Sequence, residues 1–163
     1  MWNLCVRFLK CFANPVIIMT IEDKQAQITE EFSFLEDWMD KYEYLIELGK
    51  KLPPLEENSR TEKNLIRGCQ SRVWLAVSRE DGKLNFRADS DALITKGIIS
   101  LLVLVFSGHT PGEILDADLS FIQKIGLKEH LSPTRANGLL SMIEQIRLYA
   151  LAANTENTKE NGK

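Results

Sequence analysis

The chain has 163 residues, 44% of them hydrophobic and 26% charged, which suits one soluble globular domain around a single core. Its formal net charge of -3 argues against broad nucleic-acid binding, which needs a basic face. Two histidines and three cysteines leave few ligands for a metal site, and none is expected.

Residues 1–18 differ from the rest. They are apolar but interrupted by Arg7 and Lys10, a poor signal-peptide core and too short to span a bilayer. Met19 follows directly, so 1–18 is read as a start-site extension with translation beginning at Met19. Cys5 and Cys11 lie in it, and nothing around them matches a metal or lipidation motif. A domain over 19–153 follows, then a polar tail over 154–163 expected to be disordered.

Thr20-Ile-Glu-Asp23 reads as a helix start, a hydroxyl cap followed by acids at the positive end of the dipole. Ile21, Gln25, Ile28, Phe32 and Leu35 then share one face. Trp38, Tyr42, Leu45 and Ile46 do the same up to Gly49, and Pro53-Pro54 ends the run. Val73, Leu75 and Val77 alternate with Trp74, Ala76 and Ser78, and Leu84, Phe86 and Ala88 alternate with Asn85, Arg87 and Asp89. Asp81-Gly82 between them is a hairpin signal. Asn64 to Arg67 is read as a third strand. Ser90 is read as the cap of the next helix, with Asp91 in its first turn. Ile98 to Phe106 is apolar on nearly every face, the pattern of a central buried helix. Gly108 reads as a stop, Thr110-Pro-Gly-Glu113 as a new helix, and Ser132-Pro133 as the start of the last, with apolar surface from Leu139, Leu140, Ile143, Ile146 and Leu148. The expected fold class is α+β: a small antiparallel sheet of about three strands, with helices on either side of it in sequence.

Cys69 is the domain's one cysteine, which implies no disulfide framework and fits a reducing cytoplasm, with no membrane association expected. It lies on a glycine-flanked turn where a loop runs into a strand. Arg67 and Arg72 either favour its nucleophilic thiolate or are ordinary solvated charges, and the thiol itself is either reactive or a small buried hydrophobe. Gly68 gives the turn conformational freedom or lets a partner backbone approach. Gln70 and Ser71 either donate hydrogen bonds to a sulfur anion or satisfy the loop backbone.

Arg67-Gly68-Cys69-Gln70-Ser71-Arg72-Val73-Trp74 resembles the active-site signature of the SufE family, the cysteine desulfuration proteins. Asp89 to Gly97 (DSDALITKG), Leu131 to Leu139 (LSPTRANGL) and Tyr44 to Pro53 (YLIELGKKLP) are similar to further blocks of that family in the same order. The resemblance implies an α+β fold shared with IscU-related iron–sulfur scaffold proteins. It implies that Cys69 accepts sulfane sulfur from a SufS-like cysteine desulfurase, activates that enzyme, and carries the sulfur as a persulfide to a SufBCD-like assembly scaffold. The chain itself then needs no cofactor, since pyridoxal phosphate belongs to the desulfurase. The resemblance also implies a cysteine at a loop tip shielded in an apolar hollow, with Asp91 and Arg135 nearby. Lys96 is either a surface residue or a partner contact, and Asp91 and Arg135 also have plain structural roles open to them.

Three other functions are open at this level. A cysteine hydrolase needs a base beside Cys69, and His109 and His130 are the only histidines. An IscU-like cluster scaffold needs several thiolates. An allosteric activator of the desulfurase needs no sulfur carriage at all.

Overall fold

The computed structural model describes residues 18–160. The extension and its two cysteines lie outside that range, apart from Ile18. Two helices come first, α1 (Ile21–Ser33) and α2 (Trp38–Lys51). Thr20 and Asp23 form a reciprocal capping box at the start of α1, and the Asp37 carboxylate accepts the Asp40 amide at the start of α2. A 3₁₀ turn (Glu57–Ser59) leads to the hairpin β1 (Val73–Glu80) and β2 (Lys83–Ser90). Asp81 and Gly82 both take positive φ, 50° and 75°, the conformation a tight two-residue hairpin turn demands.

The sheet has two strands, with Val73 opposite Ser90 and Glu80 opposite Lys83. The expected third strand is reduced to one bridge, Leu65 to Trp74, held by Ile66 N–H donating to Val73 O and Leu75 N–H to Asn64 O, each at 2.8 Å. Pairing stops there because the chain turns at Gly68, whose φ is +93°.

Helix α3 (Leu93–Phe106) is the centre, buried at every residue from Gly97 to Phe106. Short helices α4 (Pro111–Asp116), α5 (Ser120–Lys124) and α6 (Leu127–His130) lead to α7 (Pro133–Glu160). Ser90 is not the cap of α3 and Asp91 lies ahead of its first turn: Ala92 is the N-cap, Ser90 Oγ accepts the Ala92 N–H at 3.3 Å, and both side chains bond the Arg72 backbone of the cysteine loop. Helix α7 buries Leu139, Met142, Ile143 and Ile146, whereas Leu140 and Leu148 stay 50% exposed, off the face the core uses. It continues to Glu160, so residues 154–160 are helical where their composition predicts disorder. No described helix is long and apolar enough to cross a membrane.

Helices α2 and α3 cross at two glycines. A Cβ on Gly97 would lie 2.2 Å from the carbonyl oxygen of Leu45, and one on Gly49 would lie 3.0 Å from the Gly97 nitrogen. Only bare backbone fits, and this contact sets how α3 sits beneath the hairpin end that carries the site.

Candidate functional site

Cys69 projects from the loop that joins the bridge at Leu65 to the start of β1. Gly68 is favoured there chiefly by its backbone conformation. Its φ of +93° suits glycine, and a Cβ would meet Ser141 Oγ of α7 at 2.6 Å. The thiol is half-buried over a hollow of about 60 Å³. Gln70 and Ser71 line one side of it, Thr95 and Ile98 of α3 the floor, and Thr134, Arg135, Gly138 and Met142 of α7 the other side.

The Sγ lies 3.7 Å from the carbonyl oxygen of Gly138, as a weak S–H donor. Burial pushes the Cys69 thiol above its ordinary range. Arg67 and Arg72 are both exposed and do not offset this, so the resting group is a thiol rather than an activated thiolate. Because the folded state raises this pKa, its contribution to stability is fully present at low pH and is lost as pH rises through the folded value. Iodoacetamide should therefore label Cys69 in the folded chain with a midpoint at higher pH than in the urea-denatured chain. A folded midpoint equal to or below the denatured one would contradict this.

The junction of loop and strand is clasped from the end of β2. The Asp91 carboxylate accepts the Arg72 N–H at 3.0 Å, while the Asp91 N–H and the Ser90 hydroxyl donate to the Arg72 carbonyl at 3.3 and 2.8 Å. Asp91 thus holds the cysteine loop from a position just ahead of the α3 N-cap. Arg72 contributes its backbone here. Arg135, in the first turn of α7, is exposed and lines the same hollow. Lys96 is absent from the hollow: its ammonium pairs with Asp89 at 3.0 Å.

The structure therefore gathers Gly68, Cys69, Gln70, Ser71, Arg72, Asp91 and Arg135, and turns Lys96 inward. Sequence reasoning missed Thr95, Ile98, Thr134, Gly138, Ser141 and Met142, which reach the loop only through helix packing. It also missed Arg60 and Asp89. By strand alternation Asp89 belongs on the side opposite Phe86 and Ala88, yet it is only 4% exposed, covered by the two cations that bind it. Burial raises its carboxyl, but the Lys96 hydrogen bond, the Ser90 amide and the Arg60 charge outweigh it and hold it below the usual range.

Neither histidine serves the thiol. His109 bridges to Leu84 at the turn end of the hairpin, the end opposite Cys69, and His130 stacks on Trp38 with ring centroids 3.7 Å apart. Burial lowers the His109 pKa, so it stays neutral. Among the described residues, no three His, Cys, Asp or Glu side chains are grouped to hold a metal ion.

A family model described as "SufE: Fe-S metabolism associated domain" matches residues 26–150. An uncharacterized SufE-like protein of Rhizobium meliloti is 48% identical over 129 residues, covering 76% of this chain and 92% of that one. A second, from Rhizobium etli, is 44% identical over 126 residues, covering 74% and 85%. A solution structure of a hypothetical protein from Thermus thermophilus superposes with a TM-score of 0.67 at 25% identity, covering 81% of this chain and 96% of that one.

Proposed function

The chain belongs to the SufE family, whose domain is associated with iron–sulfur metabolism, and from that premise we propose that Cys69 is its sulfur acceptor. The observation that carries this reading is the one thiol among the described residues, next to a glycine at positive φ and facing a small hollow lined by its own loop and two helices.

The reaction is thiol exchange with the persulfide of a SufS-like cysteine desulfurase. The Cys69 thiolate attacks the outer sulfur in line, a new S–S bond forms, the donor's S–S bond breaks, and the donor cysteine leaves as a thiolate. The proton lost from Cys69 balances the thiolate released. No net oxidation occurs, and the pyridoxal phosphate of the overall pathway stays on the desulfurase. Cys69 then carries the sulfur to a SufBCD-like scaffold, in the cytoplasm.

The resting geometry suits storage. A second sulfur sits about 2 Å beyond the first, and the hollow of about 60 Å³ exceeds the roughly 10–15 Å³ that a single water needs by the same kind of measure. There the outer sulfur is shielded from oxidants and from other thiols. The raised pKa means that reaction requires deprotonation on docking, when the loop leaves its half-buried position over a hollow of mixed polar and apolar lining. The test is mass spectrometry after incubation with a cysteine desulfurase and cysteine. A reducible gain of whole sulfur atoms on the peptide containing Cys69 is expected; no gain there would refute sulfur carriage.

Gly138→Ala separates storage from folding. Its Cβ would sit 3.5 Å from Sγ, an ordinary contact, so nothing clashes. Replacing a mid-helix glycine gains roughly 0.5–1 kcal/mol. The variant should melt at or above the native temperature yet lose its persulfide faster, because the methyl occupies the hollow. Unchanged persulfide lifetime would show that the hollow does not hold the outer sulfur.

A further inference from the structure

We propose that Arg60 is a positioning residue for Cys69, anchoring the far end of the strap that carries it. The strap leaves the 3₁₀ turn at Arg60, touches β1 at Leu65 and rejoins it at Val73. Its near end is the Arg72 backbone, clasped by Asp91. Its far end is the Arg60 guanidinium, which donates to Asp89 Oδ2. Asp89 and Asp91 stand two residues apart at the end of β2, so one strand terminus holds both ends of the strap.

The charge count is what singles out Arg60. A buried carboxylate needs one partner, and Lys96 already supplies it through Oδ1 at 3.0 Å, from α3, which does not move with the strap. The second cation adds little to neutralisation. Arg60 is 41% exposed against 28% for Lys96, and it comes from the strap itself. Its contact with Asp89 therefore ties the strap to the sheet upstream of the Leu65 bridge and backs up that bridge, which with the Arg72 clasp confines any outward turn of Cys69 to the residues between Leu65 and Arg72. The meaning of that confinement for sulfur transfer rests on Cys69 being the acceptor, but the anchor is a property of the resting fold.

Two variants of the full chain separate anchoring from stability. Arg60→Met leaves Asp89 its lysine, and Lys96→Met leaves Asp89 its arginine and so leaves the strap tied. Cys69 is labelled with iodoacetamide under native conditions and read by peptide mass spectrometry, so that Cys5 and Cys11 do not contribute, with thermal melts alongside. Arg60→Met should label roughly five- to tenfold faster, the population shift from removing a charged hydrogen bond that holds a local opening. Lys96→Met should label at the native rate although it melts at least as low. Native labelling in Arg60→Met overturns the anchor, and equal acceleration in both variants overturns it as well, since labelling would then follow stability alone. No desulfurase is present, so failure here and failure of sulfur acceptance are read independently.

Discussion

Cys69→Ser is expected to abolish sulfur uptake and, with it, stimulation of the desulfurase. Serine keeps the size and hydrogen-bonding geometry closely enough to fold: the thiol is only half-buried and its one polar contact is a weak bond to the Gly138 carbonyl. The stability cost should be about 1 kcal/mol, as for most substitutions outside a fully packed core. The chemical cost is total, because a hydroxyl at neutral pH has no accessible anion to attack a sulfane sulfur and would not form a persulfide. Intact mass after incubation with desulfurase and cysteine should therefore show no reducible gain, while circular dichroism stays native. Stimulation of turnover is the decisive reading. If the serine variant gains no sulfur but still accelerates the desulfurase, the protein acts by docking alone, and the hollow beneath the thiol has no part in that effect.

Gly97→Ala meets the tightest backbone contact of any described glycine and should be strongly destabilising. The new Cβ would lie 2.2 Å from the Leu45 carbonyl oxygen and 2.6 Å from its carbonyl carbon. Both are backbone atoms of a packed helix, so no side chain can swing away and the two helices must part. Overpacking of this kind typically costs ~1–3 kcal/mol, and a backbone clash belongs at or above the top of that range. Against it stands a helix-propensity gain of about 1 kcal/mol. The net loss should lower the melting temperature by several degrees, at roughly 2–4 °C per kcal/mol for a domain of this size. Gly112→Ala is the matched control. Its Cβ would meet nothing within 4 Å, so only the propensity term remains and the melting temperature should rise. A Gly97→Ala variant that melts with wild type would show that the crossing is looser than the structure has it. Since Thr95 and Ile98 of the same helix floor the hollow, parting α2 from α3 should also disturb Cys69.

Both predictions turn on residues inside the blocks that resemble the SufE family, yet for different reasons. Cys69 was legible as chemistry because a single cysteine on a glycine turn has few alternative uses, and its neighbours in sequence are its neighbours in space. Gly97 stood in the sequence only as one small residue before a run of apolar ones. Nothing local distinguishes a glycine demanded by a facing backbone from one that is merely tolerated. Lys96 shows the same limit. Its position in a family-like block kept a partner contact open, and only the fold reveals that Asp89, opposite Trp74 in the hairpin, faces it at 3.0 Å.

Periodicity and turn chemistry were enough to specify the α+β order, the Asp81-Gly82 hairpin, the buried character of α3 and the placement of Cys69 on a loop. These depend on interactions within a few residues, which short windows of sequence contain. The tertiary structure alone decided that the third strand shrinks to one bridge, that Asp91 clasps Arg72 rather than a helix end, and that α7 closes the hollow with Gly138. It also decided that the thiol rests protonated. Each of these is settled by groups far apart in the chain, Cys69 and Gly138 among them, whose approach is fixed by how α3 and α7 pack, and it is burial that raises the thiol's pKa, a choice the two readings left open for Arg67 and Arg72 in the sequence do not make.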